Sequence, residues 1–291
     1  MMYIPTKPLN RFIEKFWVIH DDALEYSAKV FPDGVIQLII NLGAPYSVLC
    51  PHGSEATFRF GSLSGERTCA WSVKQDRSCH AIGIRFRQGG AYPFFGIPLH
   101  LIANTIVDIE LLWGASFVER LRDRLFTASS PASQCLFLVQ ALLEKAGYNP
   151  QTNSIVDMAL QYMANTEEPC IRDIASNIGI SHKHLLRQFD KFVGITPKAL
   201  VRIRRFQRSL KLLTSYAESR LYSSALPLSM TEIAYEACYY DQSHFVHDFE
   251  SFTGMTPSSF VHYYQAQQHR LFEPEYAPIR YYRHNLVTQN A

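Results

Sequence analysis

The sequence lacks the segments that mark membrane and secreted proteins. No run of 18 apolar residues occurs in the 291-residue chain, which predicts that no transmembrane helix forms. The first five residues hold no basic stretch followed by an apolar one, so we expect no secretion signal and a cytoplasmic location. The six cysteines form no Cys-x-x-Cys pair, which favours reduced thiols over a disulfide framework or a structural zinc site.

Residue patterns typical of enzymes are also missing. The histidines of the first hundred residues are separated in sequence and form no His-x-His cluster: His20, His52, His80 and His100. Gly89-Gly90 lies outside any glycine pattern known to hold phosphate, and no nucleophile constellation is present. We therefore expect no enzyme activity, no metal and no cofactor.

Charge is small overall but unevenly distributed. The net charge is +2. Residues 170–213 carry ten Lys and Arg against two Asp and Glu, a net charge of +8, whereas residues 214–265 carry one Arg against six acids, a net charge of −5. A strongly basic segment is typical of a phosphate-binding surface, and a solvated helix face is the alternative interpretation.

The hydrophobic pattern changes along the chain and predicts a two-domain α+β protein. Residues 35–40 form a β-branched run after a Pro-Asp-Gly turn, and residues 81–87 place Ile82, Ile84 and Phe86 on one face. Such short strands separated by turn signals predict a β-sandwich or barrel.

Helical spacing replaces the strand pattern after residue 105. Apolar residues from Leu111 to Leu125 recur every three or four positions. A second helix is predicted over residues 131–145, and its apolar stripe consists of Leu136, Val139, Leu142 and Leu143. Such a stripe favours packing inside the domain, and a dimer seam is the alternative.

A polar, turn-rich segment then separates two parts of the chain. Residues 147–154 contain Gly, Asn, Pro and Ser but no apolar periodicity. We predict a sensor or dimerisation domain over residues 1–147, a linker over 148–154, an all-α domain over 155–266 and an irregular C-terminal arm over 267–291.

The all-α part begins with a helix-turn-helix pattern. Residues 171–178 place apolar side chains on one face, Gly179 supplies the freedom for a sharp turn, and Ser181 is suited to cap the next helix. That second helix directs Leu185, Phe189 and Phe192 inward. Its other face presents His182, Lys183, Leu186 and Arg187. A basic exposed helix of this kind fits the major groove of DNA, where Arg binds guanine in bidentate fashion.

The pattern recurs about sixty residues later. Ser229 and Glu232 form the ends of a capping box, and Asp241–Phe249 resembles a second recognition helix. Both halves end in Gly-x-Thr-Pro, at residues 194–197 and 254–257. Because Thr followed by Pro starts helices efficiently, the first Thr-Pro pair predicts a helix over residues 197–213 that joins the two halves.

These residues resemble the DNA-binding domain of the AraC/XylS family of transcription regulators, over about residues 155–265. Ile233-Ala234-Tyr235, Asp241–Phe245 and Gly254–Pro257 match the signature of that family. The resemblance implies two recognition helices that enter successive major grooves. In the first helix, Lys183, Leu186 and Arg187 occupy base-reading positions. In the second helix, Gln242, Ser243 and His247 do so.

Phosphate contacts are expected from cations near the first motif: Lys191, Lys198, Arg202 and Arg205. The sequence also departs from the family pattern. Cys238 stands where the family has Gly, Asp248 and Glu250 stand where basic residues are common, and residues 214–229 form a longer connection. We therefore predict that the first motif supplies most of the affinity for DNA.

The N-terminal part resembles uncharacterised sensor domains attached to some AraC-type regulators, which implies a cupin-like β-domain. The resemblance rests on Phe31–Gly34, Asn41-Leu42-Gly43 and Gly83–Gly90. The aromatic side chains of this part line either a core or a small-molecule pocket: Trp17, Phe31, Trp71, Phe86, Tyr92, Phe94 and Phe95.

The sequence thus predicts a sequence-specific transcription regulator, an activator by family resemblance, that is controlled by an effector or by dimerisation. The expected partners are double-stranded DNA, RNA polymerase, a small-molecule effector and a second copy of the chain. The alternative is a small-molecule-binding or metal-dependent cupin-like protein with a helical interaction domain.

Overall fold

The computed structural model describes residues 2–21, 26–50, 53–75, 79–167, 169–222 and 229–270. The strands are β1 Met2–Tyr3, β2 Ile13–Asp21, β3 Tyr26–Val30, β4 Gln37–Asn41, β5 Tyr46–Leu49, β6 Glu55–Phe58, β7 Gly61–Ser64, β8 Trp71–Gln75, β9 Cys79–Phe86 and β10 Ile106–Asp108. The α-helices are α1 Tyr92–Phe95, α2 Ile109–Trp113, α3 Ala115–Phe126, α4 Pro131–Lys145, α5 Ser154–Ala164, α6 Ile171–Ile178, α7 His182–Phe192, α8 Pro197–Tyr222, α9 Met230–Glu236, α10 Gln242–Thr253 and α11 Pro257–Arg270.

Two antiparallel sheets form the N-terminal region, which we define as residues 2–145. One sheet has the order β1-β2-β9-β4-β7-β10 and the other has the order β3-β8-β5-β6. Alternation along β4 explains the layering, because Leu38 and Ile40 pack toward the helices α1–α4 while Ile39 packs toward the second sheet. Tyr46 and Ser62 join the two sheets through a hydrogen bond of 2.6 Å between their hydroxyl oxygens.

The helical region, which we define as residues 154–270, has its own apolar core. The predicted α+β class, with facing β-sheets and flanking helices followed by an all-α region, is confirmed. The last helix extends to Arg270, four residues beyond the predicted end of the all-α domain, and residues 271–291 of the predicted C-terminal arm lie outside the described residues. None of the helices in the described ranges is long and apolar enough to cross a bilayer.

Two sequence expectations about the flanking helices are wrong in detail. The helical pattern of residues 111–125 is interrupted at Gly114, which has a positive φ of 85°, and Leu111 is 81% exposed. The helix α4 has the predicted bounds, but its buried face is different and consists of Gln134, Cys135, Leu138, Ala141 and Leu142. Leu136 is 55% exposed, because the buried face begins two positions earlier, at Gln134, whose side-chain amide donates to the Leu125 carbonyl.

The Gly83–Gly90 segment owes its composition to close packing. Gly83 lies opposite Trp17 across β2 and β9, and a Cβ atom there would stand 2.1 Å from the indole ring. The sequence leaves open whether the aromatic side chains of this region line a core or a small-molecule pocket. They are mainly core residues, since Trp17, Trp71, Phe86 and Phe94 are buried. Position 83 therefore requires glycine, because the Trp17 ring occupies the space that a side chain would need.

The N-terminal region and the helical region are joined by the turn at Phe31–Gly34. Phe31 is buried in the core of the helical region, with its ring centroid 5.8 Å from that of Phe260. The Pro32 carbonyl accepts a hydrogen bond from the Gln207 side chain. Gly34 has a φ of +71°, and a Cβ atom there would stand 3.4 Å from side-chain carbons of Leu200 and Ile203 in α8. This turn therefore fixes α8 against the β-sheets.

Asn41 organises the loop that follows β4. Its Nδ2 atom donates to the carbonyls of Ala44 at 2.8 Å and Arg59 at 3.0 Å, and its Oδ1 atom accepts from the Gly43 amide at 3.2 Å. The residue is 1% exposed, so water does not replace these bonds if they are lost.

We expect Asn41→Ala to lower the free energy of unfolding by about 2–4 kcal/mol, because it leaves several buried backbone groups without partners. Urea denaturation followed by circular dichroism measures this loss. Asn149→Ala, at an exposed position between the two regions, is the matched control and should change stability by less than about 0.5 kcal/mol. Equal losses in the two variants would contradict the structural role of Asn41.

Candidate nucleic-acid interface

The first helix-turn-helix motif consists of α6 and α7. Gly179 ends α6 in the left-handed conformation with a φ of 78°. The Ser181 hydroxyl then accepts a hydrogen bond from the His184 amide at 3.2 Å and caps α7. Leu185 and Phe189 are completely buried, which fixes the rotation of α7 about its axis.

The outer face of α7 carries the predicted recognition residues. His182, Lys183 and Arg187 are exposed, and Leu186 is half-buried. Arg187 has no salt bridge within the described residues. A cationic side chain in this position is free to contact a base edge in the major groove.

The end of α7 contacts the N-terminal region instead of solvent. The ring centroid of Phe192 lies 4.4 Å from that of Tyr92, and Phe192 is half-buried, so it packs between the regions and not in the helical core alone. The Lys191 ammonium lies 5.2 Å from the centroid of the Tyr92 ring. The His100 Nδ1 atom lies 3.3 Å from the Asp190 carbonyl oxygen.

The second motif consists of α9 and α10. The predicted capping box is present, with Ser229 and Glu232 accepting from each other's backbone amides. These hydrogen bonds to Ser229 lower the pKa of the Glu232 carboxyl. Asp241 caps α10 by accepting from the His244 amide at 2.7 Å.

Cys238 occupies the second turn in the left-handed conformation expected for glycine. Its φ is 61°, which costs a residue with a Cβ atom roughly 1 kcal/mol. The Cys238 sulfur accepts a hydrogen bond of 2.6 Å from Nη1 of Arg208 in α8. The turn thus keeps its shape without glycine and gains a contact to the connecting helix.

The outer face of α10 is polar and carries no Lys or Arg. Gln242, Ser243 and His247 are exposed, as expected for recognition residues. The Gln242 side chain accepts a hydrogen bond from the Thr231 hydroxyl at 2.8 Å, which orients it against α9. The two predicted recognition sets therefore lie on exposed helix faces, one cationic and one neutral.

The helix α8 joins the two motifs. Its predicted start is confirmed, since the Thr196 hydroxyl accepts from the Ala199 amide at 3.2 Å, and Thr256 caps α11 in the same way at 3.0 Å. The helix continues to Tyr222, nine residues beyond the predicted end at 213. The predicted long connection over residues 214–229 is therefore partly helix, and residues 223–228 lie outside the described residues.

The four predicted phosphate-binding cations differ in their surroundings. Lys198 is exposed at the start of α8. Arg202 is ion-paired with Asp248 at 2.5 Å, and the Asp248 side chain is 4% exposed. Arg205 lies over the Tyr239 ring at 5.2 Å from its centroid, and Lys191 lies against Tyr92. The Arg202–Asp248 pair leaves no signal in the sequence, because 46 positions separate its partners.

The pairing of Asp248 also changes its interpretation. The sequence analysis counts Asp248 among the acids that weaken phosphate binding by α10, but its carboxylate is buried against Arg202. Glu250, the other acid, is exposed. The acidic character of the α10 surface is therefore smaller than the sequence suggests.

The histidines that are separated in sequence are not all separated in space. His20 and His80 are opposite each other on β2 and β9, with ring centroids 4.8 Å apart. His52 lies outside the described residues. Within the described ranges, no group of three or more His, Cys, Asp or Glu side chains is arranged to hold a metal ion.

Two family models match the chain. Residues 1–108 match a domain of unknown function (DUF6597), and residues 174–262 match a helix-turn-helix domain. No curated protein matches the chain. The second match spans both motifs and α8, so it describes the double motif as one unit.

Several solved structures are similar to the chain. ToxT from Vibrio cholerae is 12% identical, with 84% of this chain and 97% of that chain covered and a TM-score of 0.44. An AraC-type transcriptional regulator from Chromobacterium violaceum is 26% identical, with 39% of this chain and 90% of that chain covered and a TM-score of 0.30. The AraC-like transcriptional activator CuxR is 12% identical, with 75% and 86% covered and a TM-score of 0.29.

The double motif and its connecting helix coincide with the family match over residues 174–262. The chain therefore carries an AraC-type helix-turn-helix domain over residues 174–262 and a DUF6597 domain over residues 1–108.

Proposed function

We propose that the protein is a sequence-specific transcription activator whose N-terminal region controls DNA binding through a small-molecule effector or through dimerisation. The observation that carries the proposal is the exposed cationic face of α7, beside a second exposed recognition face on α10. The protein acts in the cytoplasm, where bacterial DNA lies, and RNA polymerase is its partner in activation.

In this proposal the two helices read successive major grooves. Lys183, Leu186 and Arg187 contact bases in one groove, while Gln242, Ser243 and His247 contact bases in the next. The helix α8 has 26 residues and is therefore about 39 Å long, which is similar to the roughly 34 Å of one DNA turn.

Phosphate contacts come mainly from Lys198, which is exposed, while the exposed His182 belongs to the recognition face of α7. Lys191, Arg202 and Arg205 contribute less, because each already contacts another side chain of the protein. We propose a sensor over residues 1–147, a linker over 148–154, a DNA-binding domain over 155–266 and an arm over 267–291, the first four residues of which continue α11.

The packing between the two regions supports control of DNA binding by the N-terminal region. Phe31 inserts into the helical core and the turn after it contacts α8, which joins the recognition helices. A ligand or a second copy that shifts this turn changes the relative position of α7 and α10. It thereby changes the population of states that fit DNA.

We expect Arg187→Ala to weaken specific binding by roughly 10- to 100-fold, because a bidentate contact to guanine contributes about 1–3 kcal/mol of discrimination. His247→Ala should weaken binding several times less, since α10 exposes no Lys or Arg. Fluorescence anisotropy on a site found by footprinting upstream of the protein's own gene measures both. Arg120→Ala, an exposed change on α3, is the control and should leave binding unchanged.

Two results would overturn parts of this proposal. Equal losses in Arg187→Ala and His247→Ala would refute the unequal contribution of the two motifs. If the unchanged protein binds no DNA specifically at any salt concentration, the regulator proposal itself fails and the cupin-like binding protein with a helical interaction domain takes its place.

We expect Lys198→Ala to weaken binding to all DNA sequences about equally and to reduce the slope of log affinity against log salt by about 1, because one phosphate contact is lost. Anisotropy titrations at several salt concentrations on specific and random duplexes measure the slope. Lys74→Ala, an exposed change on β8, is the control. An unchanged slope would show that Lys198 does not contact a phosphate.

A further inference from the structure

A cleft lies between the N-terminal region and the helical region. Its volume is about 990 Å³, at the upper end of the range of small-molecule sites. The strands β2 and β9 and Asp33 form one wall, α8 forms the other, and residues 163–167, 169 and 237–238 border it. Apart from Arg205, no residue that we propose to contact DNA lines this cleft.

Cations outnumber acids in the cleft. Two cationic side chains come from β2 and β9, one follows β9 directly, and four come from α8: Lys15, Arg85, Arg87, Arg204, Arg205, Arg208 and Lys211. Three acidic side chains line it: Glu14, Asp33 and Glu167. Among the described residues, the lining therefore carries an excess of four positive charges.

The two acids on the strand wall are already bound within that wall. The Glu14 carboxylate lies 2.7 Å from Nε of Arg85, and Asp33 is ion-paired with both Arg85 and Arg67. Glu167 is exposed at the border of the cleft. The acids therefore do not neutralise the cations of α8, which have no salt bridge to Glu14, Asp33 or Glu167 among the described residues.

Three cations of α8 form a row along the cleft. Arg204, Arg208 and Lys211 are spaced by four and three residues, which places them on one face of the helix. Like charges at this spacing repel and destabilise a helix unless a counter-charge is nearby. The row faces the cleft and has no carboxylate partner among the described residues, so it is a site where a bound anion stabilises the protein.

Arg204 shows most directly that a cation of this row is partly buried without a negatively charged partner. It is half-buried, and its guanidinium donates to the Gln88 side chain at 2.5 Å, a neutral partner. Burial lowers the pKa of the Arg204 guanidinium, because the charged form loses contact with water. Gln88 belongs to the N-terminal region, so this hydrogen bond joins α8 to that region.

We propose that this cleft binds a small, polar molecule with at least two negative charges, a phosphate ester or a polycarboxylate, between Arg87 on one wall and Arg204, Arg208 and Lys211 on the other. The proposal names the chemical class of the effector and rests on the proposed control of DNA binding. A ligand that contacts both walls links β9 to α8 and thereby fixes the helix that joins the recognition helices.

The test uses the full-length protein and two probes, inorganic pyrophosphate and citrate, with sodium chloride at equal ionic strength as the reference. We expect pyrophosphate or citrate to raise the melting temperature beyond the effect of chloride, because a ligand that binds only the folded state stabilises it. The variant Arg208→Gln/Lys211→Gln should bind the effective probe at least roughly tenfold more weakly, since two charge-assisted hydrogen bonds are lost.

Lys74→Gln is the matched control, because Lys74 is exposed on β8 and is not among the residues that line the cleft. This variant should bind the probe as the unchanged protein does. The proposal is overturned if neither probe exceeds chloride, or if Lys74→Gln loses as much affinity as the double variant. If just one of the two probes raises the melting temperature beyond the effect of chloride, that probe identifies phosphate or carboxylate as the recognised group.

Anisotropy on the footprinted DNA site separates this proposal from the proposed function. Specific DNA binding by the unchanged protein without a response to either probe refutes the cleft proposal alone. Probe binding at the cleft without specific DNA binding refutes the regulator proposal and leaves the cleft as a ligand site.

Discussion

The burial of one face of α8 is the constraint on which the rest of the helical region depends. Leu200, Ile203, Phe206, Leu210 and Leu213 are each 3% exposed or less and recur every three or four residues. The two helix-turn-helix motifs, the last helix and the Phe31 turn all pack against the same core as this face. The positions of the recognition helices are therefore set by the apolar face of α8, whereas its polar faces are available for charge.

Local features of the fold could be predicted from the sequence because they depend on neighbours in the chain. The capping box at Ser229 and Glu232, the Thr-Pro helix starts and the left-handed turn at Cys238 are all present. The buried face of α4 could not be predicted. That helix offers overlapping apolar stripes, and the choice between them depends on the carbonyl of Leu125, which accepts from Gln134.

The candidate site was predictable only as a set of exposed helix faces. The basic segment at residues 170–213 reads as one phosphate-binding surface, but the structure divides its cations among different surroundings. Arg202 neutralises the buried Asp248, Lys191 lies on an aromatic ring, and Arg204 faces the cleft. Contacts between residues so far apart in the chain leave no periodic pattern, so charge counting cannot assign them.

The insertion of Phe31 has a consequence for how the protein unfolds. This ring comes from the N-terminal region, yet it completes the core of the helical region beside Phe260. Removing a buried Phe side chain costs about 3–5 kcal/mol, a large part of the stability of an ordinary domain. A fragment that begins at the linker would carry a hole in its core, so the DNA-binding helices depend thermodynamically on a strand connection more than a hundred residues before them. We therefore expect the two regions to unfold as one cooperative unit, although their secondary structure divides them into two.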